Sequence, residues 1–275
     1  DVPVGNWYCP PCCCSVCSRN TLDETDRRNI DPSVLICTQC ERRYHADCIL
    51  QSGKMNPYRN PDGEWLCRDS CQQIHSGLMK ILGKPVSLGA QNLRWTLLKY
   101  KKSDSFSDDP ETCSKLSTSL SVMHECFEPV RELRTGRDLV DDVIFNRSSK
   151  LHRLNFRGFY TVVLENDDDL ISVATLRIHG ERVAEVPLVA TRFRFRRLGM
   201  CRILMDELEK RLTELGVERL VLPAAPSVLN TWTDSFGFSV TNPTERLLFI
   251  GHTFLDFQGT VFCHKMLIGN DSASA

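Results

Sequence analysis

The sequence predicts an α+β protein: a mixed sheet with flanking helices, preceded by a small module that metal holds together. Three observations carry this. Ten of the fourteen cysteines lie in the first 71 residues, in short-spaced pairs with a histidine among them. From residue 156 the apolar pattern changes to strand-like runs. A long segment with leucines at helical spacing then follows, and further short strands come after it.

Bulk composition narrows the field. A chain of 275 residues can hold one large domain or two unequal ones, and 41% apolar with 25% charged residues is typical of a soluble globular protein. The formal net charge of −1 argues against an electrostatic nucleic-acid binder. No apolar run approaches the roughly 18 residues of a membrane span, and no signal-peptide pattern opens the chain. The opening "DVPVGNWYCPPC" lacks a methionine and reads as a piece of a longer protein.

The cysteine-rich module comes first. Its series is Cys14-x2-Cys17, Cys37-x2-Cys40, His45-x2-Cys48 and Cys67-x3-Cys71. Zinc takes four soft ligands in a tetrahedron, and eight ligands in four pairs fill two closed sites. A disulfide framework would not need His45. Four cysteines, one histidine and three cysteines, with Trp65 two residues before Cys67, resemble the PHD finger. The spacing of Cys67 and Cys71 is one residue longer than usual in that family. The resemblance implies cross-braced pairing: Cys14, Cys17, His45 and Cys48 on one zinc, Cys37, Cys40, Cys67 and Cys71 on the other. We place this finger at residues 14–76. So short a module has little core of its own, so metal binding should supply its folding energy.

Upstream, "NWYCPPC" repeats the tryptophan-to-cysteine spacing that ends a PHD finger, so residues 1–13 read as the remnant of a preceding one. Cys9 and Cys12 would be its last ligand pair, and Cys13 an idle thiol. PHD fingers commonly read the histone H3 tail, and the resemblance implies that partner here. Asp23, Glu24, Asp26 and Asp31 could meet a basic tail or be a solvated loop. Leu35, where methyl-lysine readers often carry a cage tryptophan, argues against trimethyl-lysine recognition.

Beyond the finger, "CQQIHSGLMKILG" suits a helix broken by Gly83 and Pro85, and "LRWTLLKY" a strand. Residues 101–114 read as a polar loop, and 115–147 as helical with interruptions at Pro129 and Gly136. "GFYTVVLEN" and "DLISVATLRIHG" are strands around the turn "NDDD", and "ERVAEVPLVATRF" is a third. Leu204, Leu208, Leu212 and Leu215 mark an amphipathic helix stopped at Gly216. "VERLVLPA" is a buried strand, and "SVLNTWTDSFGF" a short helix ending at Gly237. Two strands near 246–251 and 259–268 close the sheet.

The run "RFRFRRLGMC", from Arg192 to Cys201, therefore lies between a strand and a long helix. Free amides and the helix dipole favour an anion there, and Gly199 permits a left-handed φ. Arg196-x-x-Gly199-x-Cys201 resembles the Arg/Gln-x-x-Gly-x-Gly/Ala signature of GNAT acetyltransferases, with Cys201 departing from the usual Gly or Ala. "SFGF" also resembles the end of that family's following helix. The resemblance implies a GNAT domain over residues 77–270, with 271–275 a tail. It implies acetyl-CoA bound by the loop amides of Arg196, Arg197, Leu198, Gly199, Met200, Cys201 and Arg202, and by the backbone of Val189 and Thr191. Pro187 lacks an amide donor, which suits a strand splayed from its neighbour. Finger followed by GNAT domain is similar to the plant nuclear PHD-finger acetyltransferases called increased DNA methylation. The function so implied is histone lysine acetylation, on histone H3, within a chromatin-associated complex in the nucleus.

Acetyl transfer to lysine needs a neutral amine, and lysine's pKa of about 10.4 calls for a base. Glu185 in "VAEVPLVAT" resembles the catalytic glutamate of histone-acetylating GNATs, eleven residues before Arg196; burial would raise its pKa. Glu181 is the second choice. Where many GNATs place a tyrosine acid, this chain has Thr233. Cys113, Cys126 and Cys263 read as buried or idle thiols. Thr233 and Cys201 keep a second reading open: a non-catalytic chromatin-binding module. A third, nucleic-acid binding through Arg192, Arg194, Arg196 and Arg197, would show a steep salt dependence.

Overall fold

The computed structural model describes residues 8–22, 31, 33–53, 63–89, 92–101, 109–129, 131–132, 136–149, 154–167 and 169–268. Asp23, Glu24, Asp26 and the tail 271–275 lie outside these residues. In the finger, β1 (Val34–Ile36) pairs antiparallel with β2 (Arg43–His45), which runs into α1 (Ala46–Ser52). Tyr44 and Trp65 meet edge to face at 5.2 Å and, with Ile49 and four cysteines, form its small core.

Helix α2 (Asp69–Ile81) carries Cys71 in its first turn and buries Ile74 and Leu78 in the core of the large sheet. The expected boundary between residues 76 and 77 therefore falls inside one continuous helix. Its apolar stripe starts at a zinc ligand and continues onto the sheet.

The large sheet has nine strands among the described residues. They are β3 (Val86–Leu88), β4 (Leu93–Leu98), β5 (Phe159–Asn166), β6 (Asp169–Ile178), β7 (Ala184–Glu185), β8 (Val189–Thr191), β9 (Arg219–Ala224), β10 (Ser239–Val240) and β11 (Val261–Met266). The order is β10-β11-β9-β7-β6-β5-β4-β3, with β8 pairing β6. Only the β7–β9 pair is parallel.

Alternation along β5 decides the layers. Tyr160, Val162 and Leu164 face the core that takes α2 and α5 (Met200–Glu214), whereas Val163 faces the one that takes α3 (Pro110–Cys126) and α4 (Leu139–Ile144). Burial on both faces explains why these strands read as nearly continuous apolar runs. In α5, Leu204, Leu208 and Leu212 are buried as their spacing predicts. No described helix is long and apolar enough to cross a membrane.

Two expectations are corrected. The strand expected near 246–251 is instead helix α6 (Pro243–Arg246) followed by a 3-10 turn, Leu247–Phe249. Asn242 caps it in a capping box with Glu245, and Pro243 occupies the first turn, so capping outweighs the apolar run "LLFI". The β10 strand lies earlier, at 239–240. The third strand, expected as one piece, is broken between β7 and β8 at Val186, Pro187 and Leu188.

Candidate functional site

In the finger, two sets of ligand atoms converge: Cys14, Cys17, His45 and Cys48, and Cys37, Cys40, Cys67 and Cys71. Within each set all lie within 4.8 Å of one another. These are soft-donor sets of the size and spacing zinc takes, and they are the sets the cross-braced pairing implies. His45 Nε2 lies 3.0 Å from the Asn20 carbonyl, so it donates there and leaves Nδ1 turned to Cys17 and Cys48. The Cys9 and Cys12 sulfurs are 2.9 Å apart, and among the described residues no further ligand joins them. Asp31 accepts from the amide and hydroxyl of Ser33, and half-buried Leu35 sits opposite Tyr44.

The fully buried cysteine set abuts the sheet. Gln39 Nε2 donates to the Ile178 carbonyl at 3.1 Å, Glu41 lies 3.6 Å from Arg177, and Arg68 lies 3.5 Å from Glu181. Gly180, at φ +74°, turns the chain beneath Cys40; a Cβ there would lie 3.2 Å from the Cys40 Cβ. Only glycine accommodates both the φ and the contact.

The sheet forks immediately after Glu185. β7 hydrogen-bonds both β6 and β9, and the Val186 amide still donates to Val221. β8 then pairs with β6 alone. Leu188 and Arg192 spend backbone groups on β6, so by alternation Val189 and Thr191 turn theirs toward the open fork. Thr191's carbonyl accepts from Arg196 Nε at 3.1 Å.

Beside the fork, Arg197 (φ +61°) and Gly199 (φ +80°) turn the chain into α5, whose first amides, from Met200, Cys201 and Arg202, have no helical partner. Leu198 is exposed. The arginines divide their work. Arg192 pairs with Glu125, Arg194 with Asp169, and Arg196 stacks over Phe193 at 4.0 Å. Arg202 donates to the Ser235 carbonyl. Arg197 is exposed, with no side-chain partner among the described residues, and is the cation this turn offers outward. Arg192 and Arg194 are thus held by carboxylates and do not form one outward stripe with Arg196 and Arg197.

Glu185 is 1% exposed and has three donors on its carboxylate. Oε1 accepts from Arg177 Nε at 2.5 Å and faces His179 Nε2 at 3.1 Å; Oε2 accepts from the Leu255 amide at 2.8 Å. Burial alone would raise its pKa, but the Arg177 charge, His179 and the Leu255 amide outweigh it and hold the carboxyl below its ordinary value. The expected upward shift is therefore corrected: the partners that compensate its burial come from elsewhere in the chain. Glu181 is more than a third exposed and pairs with Arg68. The single hydroxyl hydrogen of Thr233 has local acceptors, Asp234 Oδ1 at 2.8 Å and the more distant Leu229 carbonyl at 3.3 Å, so it is spent locally. Cys126 donates to the Thr191 carbonyl at 3.5 Å, and Cys263 is buried.

Sequence reasoning missed Arg177 and His179. Their signal was present: charged residues at alternate positions of an apolar strand, on the face that Glu185 shares. Replacing Glu185 with alanine should cost about 3–5 kcal/mol, because the Arg177 charge would stay buried without its main partner. Denaturant unfolding of the zinc-loaded chain measures this; a loss under about 1 kcal/mol would mean Glu41 suffices for Arg177. The lowered pKa also gives a sign. Glu185 contributes stability that is complete above its ordinary value of 4.5 and is lost as pH falls through the lower folded value. Glu185→Gln should flatten that part of the stability curve.

Comparison with known proteins follows this geometry. Residues 127–266 match the family described as "Increased DNA methylation 1, C-terminal domain", and residues 14–71 match the PHD-finger. The chain is 38% identical over 273 residues to Increased DNA methylation 1 of Arabidopsis thaliana, covering 97% of this chain and 22% of that protein. The chain thus spans about a fifth of the relative's length. Among solved structures, Tetrahymena GCN5 aligns at 15% identity and a TM-score of 0.47, over 59% of this chain and 93% of that one. A putative N-acetyltransferase from Lactobacillus plantarum aligns at 18% and 0.42, over 64% and 99%.

Proposed function

Since this chain belongs to the Increased DNA methylation 1 family, with a PHD finger ahead of the family's C-terminal domain, we propose that it is an acetyl-CoA-dependent lysine N-acetyltransferase of chromatin. Its substrate is the histone H3 tail, held by the finger, and its place is the nucleus. The observation that carries the reading is the fork: β8 leaves β9 directly after Glu185, beside the open amides of α5.

The residues fit the cofactor. Val189 offers its backbone groups and Thr191 its N–H along the fork, which suits pantetheine; the Thr191 carbonyl is already taken by Arg196 and Cys126. Arg197, the amides of Leu198 to Arg202 and the positive end of α5 suit a pyrophosphate. Acetyl-CoA would supply the activated acetyl group, and the two zinc ions structure alone. The chain's own part is to bind, position and deprotonate. Positioning can contribute roughly 7–11 kcal/mol and a base about 10²–10⁴-fold, so alignment in the fork is the larger effect. As the N–C bond forms, the C–S bond breaks; one amine proton leaves to the base and the next goes with the sulfur. Thr233, hydrogen-bonded to its own helix, does not supply that proton, so water or the thiolate itself receives it.

Transfer of labelled acetyl from acetyl-CoA to an H3 tail peptide tests the reading. Acetylated peptide at a rate above the uncatalysed background is expected. Acetyl-CoA binding without transfer to any core-histone tail would favour the second reading, a chromatin-binding module, which the spent Thr233 hydroxyl supports.

A further inference from the structure

We propose that His179 is the base of this site and that Glu185 orients it. The proposal deepens the acetyl-transfer reading and rests on it. Glu185 has no open face toward solvent: it is 1% exposed, and Arg177, His179 and Leu255 donate to its two oxygens. A carboxylate with three such donors stays ionised. Being acceptor-only, it requires that His179 Nε2 carry the hydrogen, which leaves the lone pair on Nδ1. A buried carboxylate that fixes an imidazole's tautomer and later stabilises its cation is how histidine is set up as a general base.

The surroundings give His179 an outlet. It lines a cavity of about 430 Å³ at the junction of finger and sheet, together with Glu41, Arg42 and Arg43 of the finger and Gly251, His252 and Thr253. His179 lines this cavity and Glu185 does not. The charged and titratable groups around the imidazole are Glu185 and Arg177 on the sheet and His252 from the 251–257 segment; Glu41, Arg42, Arg43, Tyr8, Cys13, Cys14 and Cys40 line the same cavity. His252 lies 5.2 Å away, ring to ring; burial pushes it down to about 3, so it adds no charge near neutrality. The Phe254 ring packs edge-on at 5.4 Å and holds the imidazole in place.

The acceptor ammonium gives one proton to His179 Nδ1, and the imidazolium so formed is held by Glu185. The neutral amine then attacks the thioester carbon, the C–S bond breaks, and the second amine proton goes to the departing sulfur or to water. His179 afterwards releases its own proton to water in the cavity.

Two measurements on the zinc-loaded chain test this. Long-range 1H–15N correlation on histidine-labelled protein should show His179 as the Nε2–H tautomer; the Nδ1–H tautomer would overturn the proposal whatever the substrate. Single-turnover acetylation of the H3 peptide should be about 10²–10⁴-fold slower in His179→Gln at neutral pH. The gap should narrow toward pH 10 as lysine loses its own proton, with zinc content and acetyl-CoA affinity unchanged. Equal rates across the range would remove His179 from the mechanism. Acetyl-CoA binding without any transfer by the parent chain would instead overturn the transferase reading, and the base with it.

Discussion

Stripping zinc from this chain should unfold the finger and loosen the large sheet at the β6–β7 end. Among the described residues the finger's own core is one tyrosine, one tryptophan, one isoleucine and four of the cysteines, with Leu35 and Leu66 packed against them, too little to fold without metal. Structural zinc contributes about 10–16 kcal/mol in such modules near pH 7. The second effect follows from the junction. Gln39 satisfies the Ile178 carbonyl, Glu41 reaches Arg177, and Gly180 packs under Cys40. All three contacts come from or lie against the buried set of ligands. Cys40→Ser should therefore expose the amides around residues 177–185 to hydrogen exchange, whereas Cys48→Ser, in the outer set, should leave them protected. Equal protection in both variants would mean that the sheet holds this end unaided.

Gly199→Val should weaken acetyl-CoA binding by about 10²-fold or more, with zinc content unchanged. A Cβ at Gly199 meets nothing within 4 Å, so crowding within the protein is not the cause. The φ of +80° is. A β-branched residue there costs roughly 1–3 kcal/mol, and relaxing the turn would re-aim amides that each contribute about 1.5–3 kcal/mol to a charged partner. Gly199→Ala should fall between, sharing the φ penalty with less bulk. Calorimetric titration with acetyl-CoA measures both; unchanged affinity in the valine variant would place the pyrophosphate elsewhere.

Local chemistry made much of this legible in the sequence. Zinc-ligand pairs show because both members of a pair must sit within a few residues. Helix α5 shows because its leucines repeat with the helical period, and the turn ahead of it because glycine is favoured at the φ of +80° that residue 199 adopts. The misread strand at 246–251 shows the limit of apolar pattern. "LLFI" fits either state, and the capping box at Asn242 and Glu245 decides it.

What only the tertiary structure decided concerns groups far apart in the chain. α2 starts at a zinc ligand and ends in the sheet core, so finger and sheet meet where sequence suggests a boundary. Glu185 is visible as a carboxylate on a buried strand, yet its proton affinity depends on Arg177, His179 and an amide seventy residues away. Burial alone would push that pKa up, and three donors bring it down. Sequence determines which groups can ionise, because that is covalent chemistry. The fold determines whether they do, because desolvation and opposing charge act through space and not along the chain.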